Sequence, residues 1–204
     1  MNFLDYLDGR KAVRHFDQAT SSISDAEITE ILAHAAKAPS NNNFQPWRVI
    51  VIKNKKIQQK LQTLAAGQQQ VASAAAVFLL LGTQEGYNIE KILQFNLKHH
   101  ILKASQVAEK RKRIELYFAL HPEDRQEEGL RLDVGLFAMN LMHVLRAYGY
   151  DSVPMRGVDF DKVMQFLQLP SEWSPILLLP AGKALKEGHQ QFRNPVASFS
   201  QIIN

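Results

Sequence analysis

The chain has no cysteine among its 204 residues. Disulfides, thiolate nucleophiles, iron–sulfur clusters and cysteine-ligated zinc are therefore excluded. Glycine is sparse, and no two of the ten glycines are separated by a single residue. A G-x-G-x-x-G dinucleotide fingerprint is thus impossible. Gly182-Lys183 has no glycine five positions before Gly182, so there is no Walker loop, and no G-x-S-x-G elbow occurs either. The seven histidines form no H-E-x-x-H and no other compact metal spacing. Long hydrophobic runs are missing too. The most apolar stretch, Val71 to Thr83, falls far short of the roughly 20 residues of a membrane helix. The N-terminal MNFLDYLDGRKAVRHF carries acids early and lacks the apolar core of a signal peptide. A soluble cytoplasmic protein is the expectation, with no membrane partner. The net charge of +4 favours an anionic ligand but is too small to argue for nucleic acid.

What is present reads as an ordinary globular chain. At 46% hydrophobic and 22% charged residues, it can bury a core without staples. No linker or repeat divides residues 1–204, so one domain is expected. Phe3 to Leu7 reads as a short helix ending near Gly9. Ser24-Asp-Ala-Glu27 is a capping box opening a helix that Pro39 stops. WRVIVIK (47–53) and AAVFLLL (75–81) read as buried strands separated by a surface helix over 54–66. Residues 88–121 contain neither proline nor glycine and predict one or two long helices, followed by an acidic loop to Gly129. Leu132 to Tyr148 is apolar almost all round and predicts a helix buried on most sides. Asp159 can cap a helix running to Leu169, and Ile176 to Leu179 reads as a third strand. The strands are apolar on both faces, which places the sheet centrally.

Four segments carry groups suited to binding. Arg10, Lys11 and Arg14 put three cations in five residues; the arginine fork matches phosphate oxygens, although a solvated basic turn has the same pattern. Pro39, Ser40, Asn41, Asn42, Asn43 and Gln45 crowd amides and a hydroxyl between two prolines, which suits the edge of a flat heterocycle or simply a polar turn. Pro154, Met155, Arg156 and Gly157 form a short loop whose backbone N–H groups could face a ligand. Arg193 lies in FRNP near the end of the chain. Lys110 to Arg113 reads as a solvated helix face, and the adjacent His99 and His100 cannot share a metal.

Taken in order, RKAVRHF (10–16), APSNNNFQPW (38–47), the strand ending LLLGT, GYDSVPMRGVD (149–159), and ILLLPAGK followed by FRNP resemble the nitroreductase family of flavin enzymes over nearly the whole chain. The resemblance implies an α+β nitroreductase-like fold, with a mixed central β-sheet flanked by helices, in an intertwined homodimer with FMN sites at its interface. It implies Arg10, Lys11 and Arg14 at the FMN phosphate, ribityl chain and ring edge, with Arg14 as an electrostatic stabiliser. Pro39, Ser40, Asn41 and Asn43 would contact flavin from the other subunit. Gln68 and Gln70 would lie near the pyrimidine edge, Pro154 to Gly157 near flavin N5, and Arg193 at the phosphate. Ala12 stands where a serine is common, Gln69 where some members have lysine, and Gln191 where some have a second basic residue. NADH or NADPH would be co-substrate and a nitroaromatic or quinone the acceptor, with no catalytic side chain and no metal. Residues 88–129 would be a helical excursion over the active site, with Phe95, Tyr117 and Phe118 as pocket or core residues. Residues 195–204 would reach the partner subunit. A flavin reductase, a dehalogenase-like enzyme or a flavin-binding protein without turnover are the alternatives on this fold.

Overall fold

The computed structural model describes residues 2–20 and 22–203. Met1 and Asn204, the ends of the expected 1–204 domain and 195–204 extension, lie outside the described residues, as does Ser21. The helices are α1 (Phe3–Asp8), α2 (Asp25–Ala35), α3 (Lys55–Leu64), α4 (Gln69–Ser73), α5 (Ile89–Lys98), α6 (Val107–Leu120), α7 (Glu127–Ala147) and α8 (Phe160–Phe166). The strands are β1 (His15–Phe16), β2 (Trp47–Ile52), β3 (Ala76–Thr83), β4 (Asp151–Ser152), β5 (Trp173–Gly182) and β6 (Ala184–Lys186). A four-stranded sheet runs β2-β3-β5-β4, and β1 pairs β6 separately. Every strand ladder is antiparallel. Among the described residues parallel pairing enters only as the isolated bridge Ala12–Ser152, so the expected mixed sheet is mixed at that edge alone.

Strand alternation builds two cores from one strand. All eight residues of β3 are buried. Ala76, Phe78 and Leu80 pack with Ile31 of α2 and Val134, Phe137 and Leu141 of α7. Val77, Leu79 and Leu81 point the other way, toward Leu61 of α3 and Val163 of α8. This period of two is what a strand covered on both faces requires. A third cluster, around Phe44, Tyr87, Ile92, Ile114, Phe118 and Leu130, underlies α5 and α6. Phe118 is therefore core, whereas Phe95 stays partly exposed beside His99.

Several boundaries depart from expectation. The acidic segment is a 3-10 turn over Pro122–Arg125, and α7 already begins at Glu127. Glu127 and Glu128 suit the positive N-terminal end of a helix, which extends it backward through residues read as loop. One stripe of α7 is bare: Leu132, Leu136 and Met139 are 61%, 40% and 44% exposed. β5 extends beyond Ile176–Leu179 in both directions. Its ladder slips at Pro175, which has no N–H to give: Leu80 pairs Leu177 and Leu81 pairs Pro175, leaving Ile176 as the extra residue. α8 stops at Phe166 rather than Leu169, where Gln168 turns to φ +51 ahead of Pro170. Gly149 takes φ +80, a conformation that lets the chain turn from α7 into β4 without steric cost. Among the described residues no helix is long and apolar enough to cross a membrane.

The capping box forms as read. The Glu27 N–H donates to Ser24 Oγ at 3.1 Å and the Ser24 N–H to Glu27 Oε2 at 3.0 Å. The Ser24 backbone and hydroxyl bonds, then the Tyr150 hydroxyl, hold the Glu27 carboxyl below its usual 4.5. A folded pKa below the unfolded one means stability that is present above pH 4.5 and lost as pH falls through the lowered value. Ser24→Ala is expected to cost about 1 kcal/mol by thermal melting. The melting difference between wild type and Glu27→Gln at pH 7 should shrink toward zero as pH falls through the lowered value; a difference that persists in acid would show that the charge is not the cause.

Candidate functional site

Most of the predicted residues gather at the open edge of the sheet. The Val13 N–H donates to Ser152 O at 3.3 Å, laying the Arg10–Arg14 segment against β4. Met155 and Leu178 exchange backbone bonds of 2.8 and 3.0 Å, which pin the following loop to β5. Gln70, buried on α4, donates to Gln68 Oε1 at 2.8 Å and to Met155 Sδ at 3.6 Å, and Gln68 donates to Gly157 O at 3.3 Å. Ala12, Gln68, Gln70, Met155 and Gly157 thus form one continuous patch. Pro154, Arg156 and Gly157 are exposed on it. The N–H groups of Arg156 and Gly157 donate to nothing among the described residues.

Alternation also sorts the cations. Arg10, Ala12 and Arg14 are of one parity, Lys11 and Val13 of the other. Arg14 lines a cavity of about 570 Å³ together with Gln69 and Ser73. Lys11 and Val13 line a different one, of about 390 Å³, with Arg146 and Asp151. There Lys11 pairs with Glu187 at 3.0 Å, so the structure does not gather it with Arg14. Arg193 is brought to Arg10 by Gln191: its side-chain amide donates to the carbonyls of Arg10 and Asp8, and its oxygen accepts from the Arg193 guanidinium at 2.6 Å. The departure from a basic residue at 191 is therefore a bridge. Arg10, Arg14, Arg156 and Arg193 have no carboxylate partner among the described residues. Burial, then Arg10 and Arg146, push the His143 imidazole below its ordinary value, keeping positive charge off that residue.

Pro39, Ser40, Asn41 and Asn43 stand apart from this patch. They begin a turn between α2 and β2 in which Asn42, Asn43 and Gln45 take φ of +45, +61 and +53. Asparagine tolerates the left-handed region better than most residues. Ser40 Oγ accepts the Gln45 N–H at 3.0 Å, leaving its own hydrogen to donate outward. The Asn43 side chain is exposed and bonded to none of the described residues. The turn's supports come from elsewhere. The Asn41 N–H donates to Asp133 Oδ1 at 3.0 Å, and Lys110 Nζ to Asn42 Oδ1 at 3.0 Å. Tyr117 OH accepts from Asn41 Nδ2 at 3.4 Å and donates to Asp124. Lys110 is thus an anchor, not part of a uniformly solvated face. Pro39, Ser40 and Asn41 line a cavity of about 280 Å³ with Tyr117, Asp124, Asp133 and the bare Leu132 and Leu136 of α7.

Two separated sets of donors result: cations without a carboxylate partner among the described residues, and the amide-rich turn, which lies beside the uncovered Leu132 and Leu136. The sequence profile of the nitroreductase family matches residues 7–183, a span that contains both sets except Arg193. The chain belongs to the nitroreductase family. A nitroreductase-like protein of Streptococcus mutans has a crystal structure 52% identical that superposes with a TM-score of 0.97, covering 99% of this chain and 98% of that one. A protein of Exiguobacterium sibiricum, assigned as a nitroreductase and crystallised in complex with FMN, is 28% identical with a TM-score of 0.90 over 100% of this chain and 98% of its own. YdgI of Bacillus subtilis, assigned as an NAD(P)H nitroreductase, is 32% identical over 98% of this chain and 97% of its own. The fold is that of this nitroreductase-like group.

Residue-by-residue reading misses Asp133, Tyr87 and the bridging role of Gln191. Asp133 has a visible signal, a lone acid inside the apolar run LRLDVGLFAMNLM. Buried at 3% exposure, it accepts the Tyr87 hydroxyl at 2.9 Å on Oδ2. Burial raises its carboxyl above the usual range, and the Asn41 N–H and Tyr87 hydroxyl pull it back. Burial and then Asp133 itself push the Tyr87 phenol upward, so it remains a donor. Among the described residues no three His, Asp or Glu side chains gather to hold a metal ion.

Proposed function

We propose that this nitroreductase-family chain is an FMN-dependent NAD(P)H oxidoreductase acting by a ping-pong scheme on electron-poor acceptors such as nitroaromatics or quinones. The observation that carries the reading is the set of unpaired arginines beside unbonded backbone N–H groups. Guanidinium forks suit a phosphate, and the exposed Arg156 and Gly157 N–H groups are free to donate to a ligand, so the residues present fit FMN. Bound FMN supplies the redox chemistry, hydride entering and leaving at N5.

The protein's part is to hold and polarise. Arg10 and Arg193, joined by Gln191, form the phosphate clamp. Arg14 holds a fixed positive charge toward its cavity, where it offsets negative charge developing at the ring edge. Gln68 and Gln70 keep the Pro154–Gly157 loop against the sheet, so that the Arg156 and Gly157 N–H groups stand ready to donate. Ser40, Asn41 and Asn43 complete the site of a second copy. The bare Leu132, Leu136 and Met139 stripe is the seam of that homodimer, and residues 195–204 reach the partner. Residues 88–129 cover the site within one domain spanning 1–204, and the protein works in the cytoplasm. Lys11, paired with Glu187, contributes less than Arg10.

The test is to purify the protein, record its visible spectrum, and follow NADH and NADPH oxidation with and without a nitroaromatic. A yellow protein whose nucleotide oxidation depends on the acceptor is expected. A colourless protein that takes up no FMN overturns the reading. A yellow protein that neither nucleotide reduces overturns its enzymatic part and leaves a flavin-binding role.

A further inference from the structure

We propose that Asp133 is a positioning residue for the flavin site, acting through the Asn41 N–H to set the Ser40–Asn43 turn in its binding conformation. This rests on the reading that the turn meets FMN. The turn cannot set itself. Asn42 and Asn43, with Gln45 just beyond them, occupy the left-handed region, which costs free energy for any side chain other than glycine and persists only where surroundings over-determine it. Its own bonds, such as the Gln45 N–H to Ser40 Oγ, close it locally but do not tie it to the rest of the protein. Lys110 and Tyr117 reach the turn from α6, and the tie through its backbone is Asp133, on the 21-residue α7, with Val134 and Leu130 beside it fully buried.

A carboxylate in such surroundings is costly unless its oxygens are satisfied. Here each oxygen has one donor at hydrogen-bond distance: Asn41 N–H on one, Tyr87 hydroxyl on the other. Tyr87 is itself buried, wedged edge-on against Phe44 at the turn's far end. Asp133 and Tyr87 thus brace both ends of the turn from one point, and the half-buried Ser40 hydroxyl and the exposed Asn43 amide stand on that base. An asparagine at 133 would keep this geometry, its oxygen accepting the Asn41 N–H and its amide donating to the Tyr87 oxygen. An alanine would leave both donors without partners.

The experiment compares Asp133→Ala, Asp133→Asn and Tyr87→Phe with wild type by FMN titration, circular dichroism, and hydrogen exchange at the Asn41 amide. Asp133→Ala is expected to raise the FMN dissociation constant at least about tenfold while still folded, and to speed Asn41 exchange. Asp133→Asn should restore affinity to within about threefold, the mark of positioning by hydrogen bonds. If Asp133→Ala does not fold, Tyr87→Phe carries the test through weaker FMN binding and faster Asn41 exchange with native circular dichroism. Unchanged FMN affinity in the folded variants overturns the proposal. Arg10→Ala is the control: if it weakens FMN binding while the Asp133 variants do not, only the positioning role fails. If wild type binds no FMN, the reading beneath it fails instead.

Discussion

Arg10→Ala is expected to weaken FMN binding by about 10- to 100-fold. A hydrogen bond from a guanidinium to a phosphate is worth about 1.5–3 kcal/mol, and each 1.4 kcal/mol is a factor of about ten. Among the described residues Arg10 has no carboxylate to fall back on, so little of that energy is spent inside the protein. Arg193→Ala should act in the same direction. Gln191 accepts from the Arg193 guanidinium and donates to the Arg10 carbonyl, a main-chain bond that Arg10→Ala leaves in place; the two arginines couple through the phosphate they share, so the loss in the double variant should differ from the sum of the singles. Lys11→Ala should lose least, since Lys11 already has Glu187 as a partner. Fluorescence titration with FMN and with riboflavin separates the phosphate from the ring: the arginine variants should lose affinity for FMN and keep that for riboflavin. Equal losses for both flavins would move Arg10 from the phosphate to the ring, and no loss in either variant would remove the clamp.

The largest stability loss is expected at Phe78. It is completely buried at the centre of β3, on the face shared with α2 and α7. Truncation of such a phenyl to alanine costs about 3–5 kcal/mol, through lost transfer energy and an unfilled cavity. That is a large fraction of the roughly 5–15 kcal/mol that holds a domain together. For a chain of this size each kcal/mol lowers the melting temperature by roughly 2–4 °C. A drop of about 6–20 °C is therefore the expected melt, with the apparent two-state character retained. A shift below about 2 °C would mean that this face of the sheet repacks freely, contrary to its density of fully buried side chains.

The sequence made the elements legible where a short-range cause dominates. The Ser24–Glu27 box, the six apolar residues that open β3 and the asparagine-rich turn all carry local signals, and the structure keeps them. What it concealed were long-range pairings. β4 and β6 are too short for periodicity, and exist because Ser152 and Ala184 meet partners far away in the chain. α7 starts early because Glu127 and Glu128 favour a helix end, a preference hidden by their resemblance to an acidic loop. In the site, the family motifs indicated which residues to inspect, and alternation along the Arg10–Arg14 segment then separated Lys11 from Arg14. Asp133 was visible only as an oddity, a lone acid in an apolar run. Its meaning depends on Asn41, 92 residues away, and no pattern in the chain connects the two.

The parity of β3 has a bearing on how such a protein changes over time. Val13, Val153 and Met155, under the arginine and Gly157 patch, are rooted in the core built on the odd-numbered residues of that strand. Ala38, which leads into the Ser40–Asn43 turn, is rooted with Val134 in the core of the even-numbered ones. One strand thereby serves as a party wall between two foundations. A substitution that loosens one foundation disturbs the groups standing on it and leaves those across the wall in place. On the proposed reading, grip on the phosphate and the contour of the Ser40–Asn43 turn can drift separately, each under its own selection, without the fold having to be renegotiated.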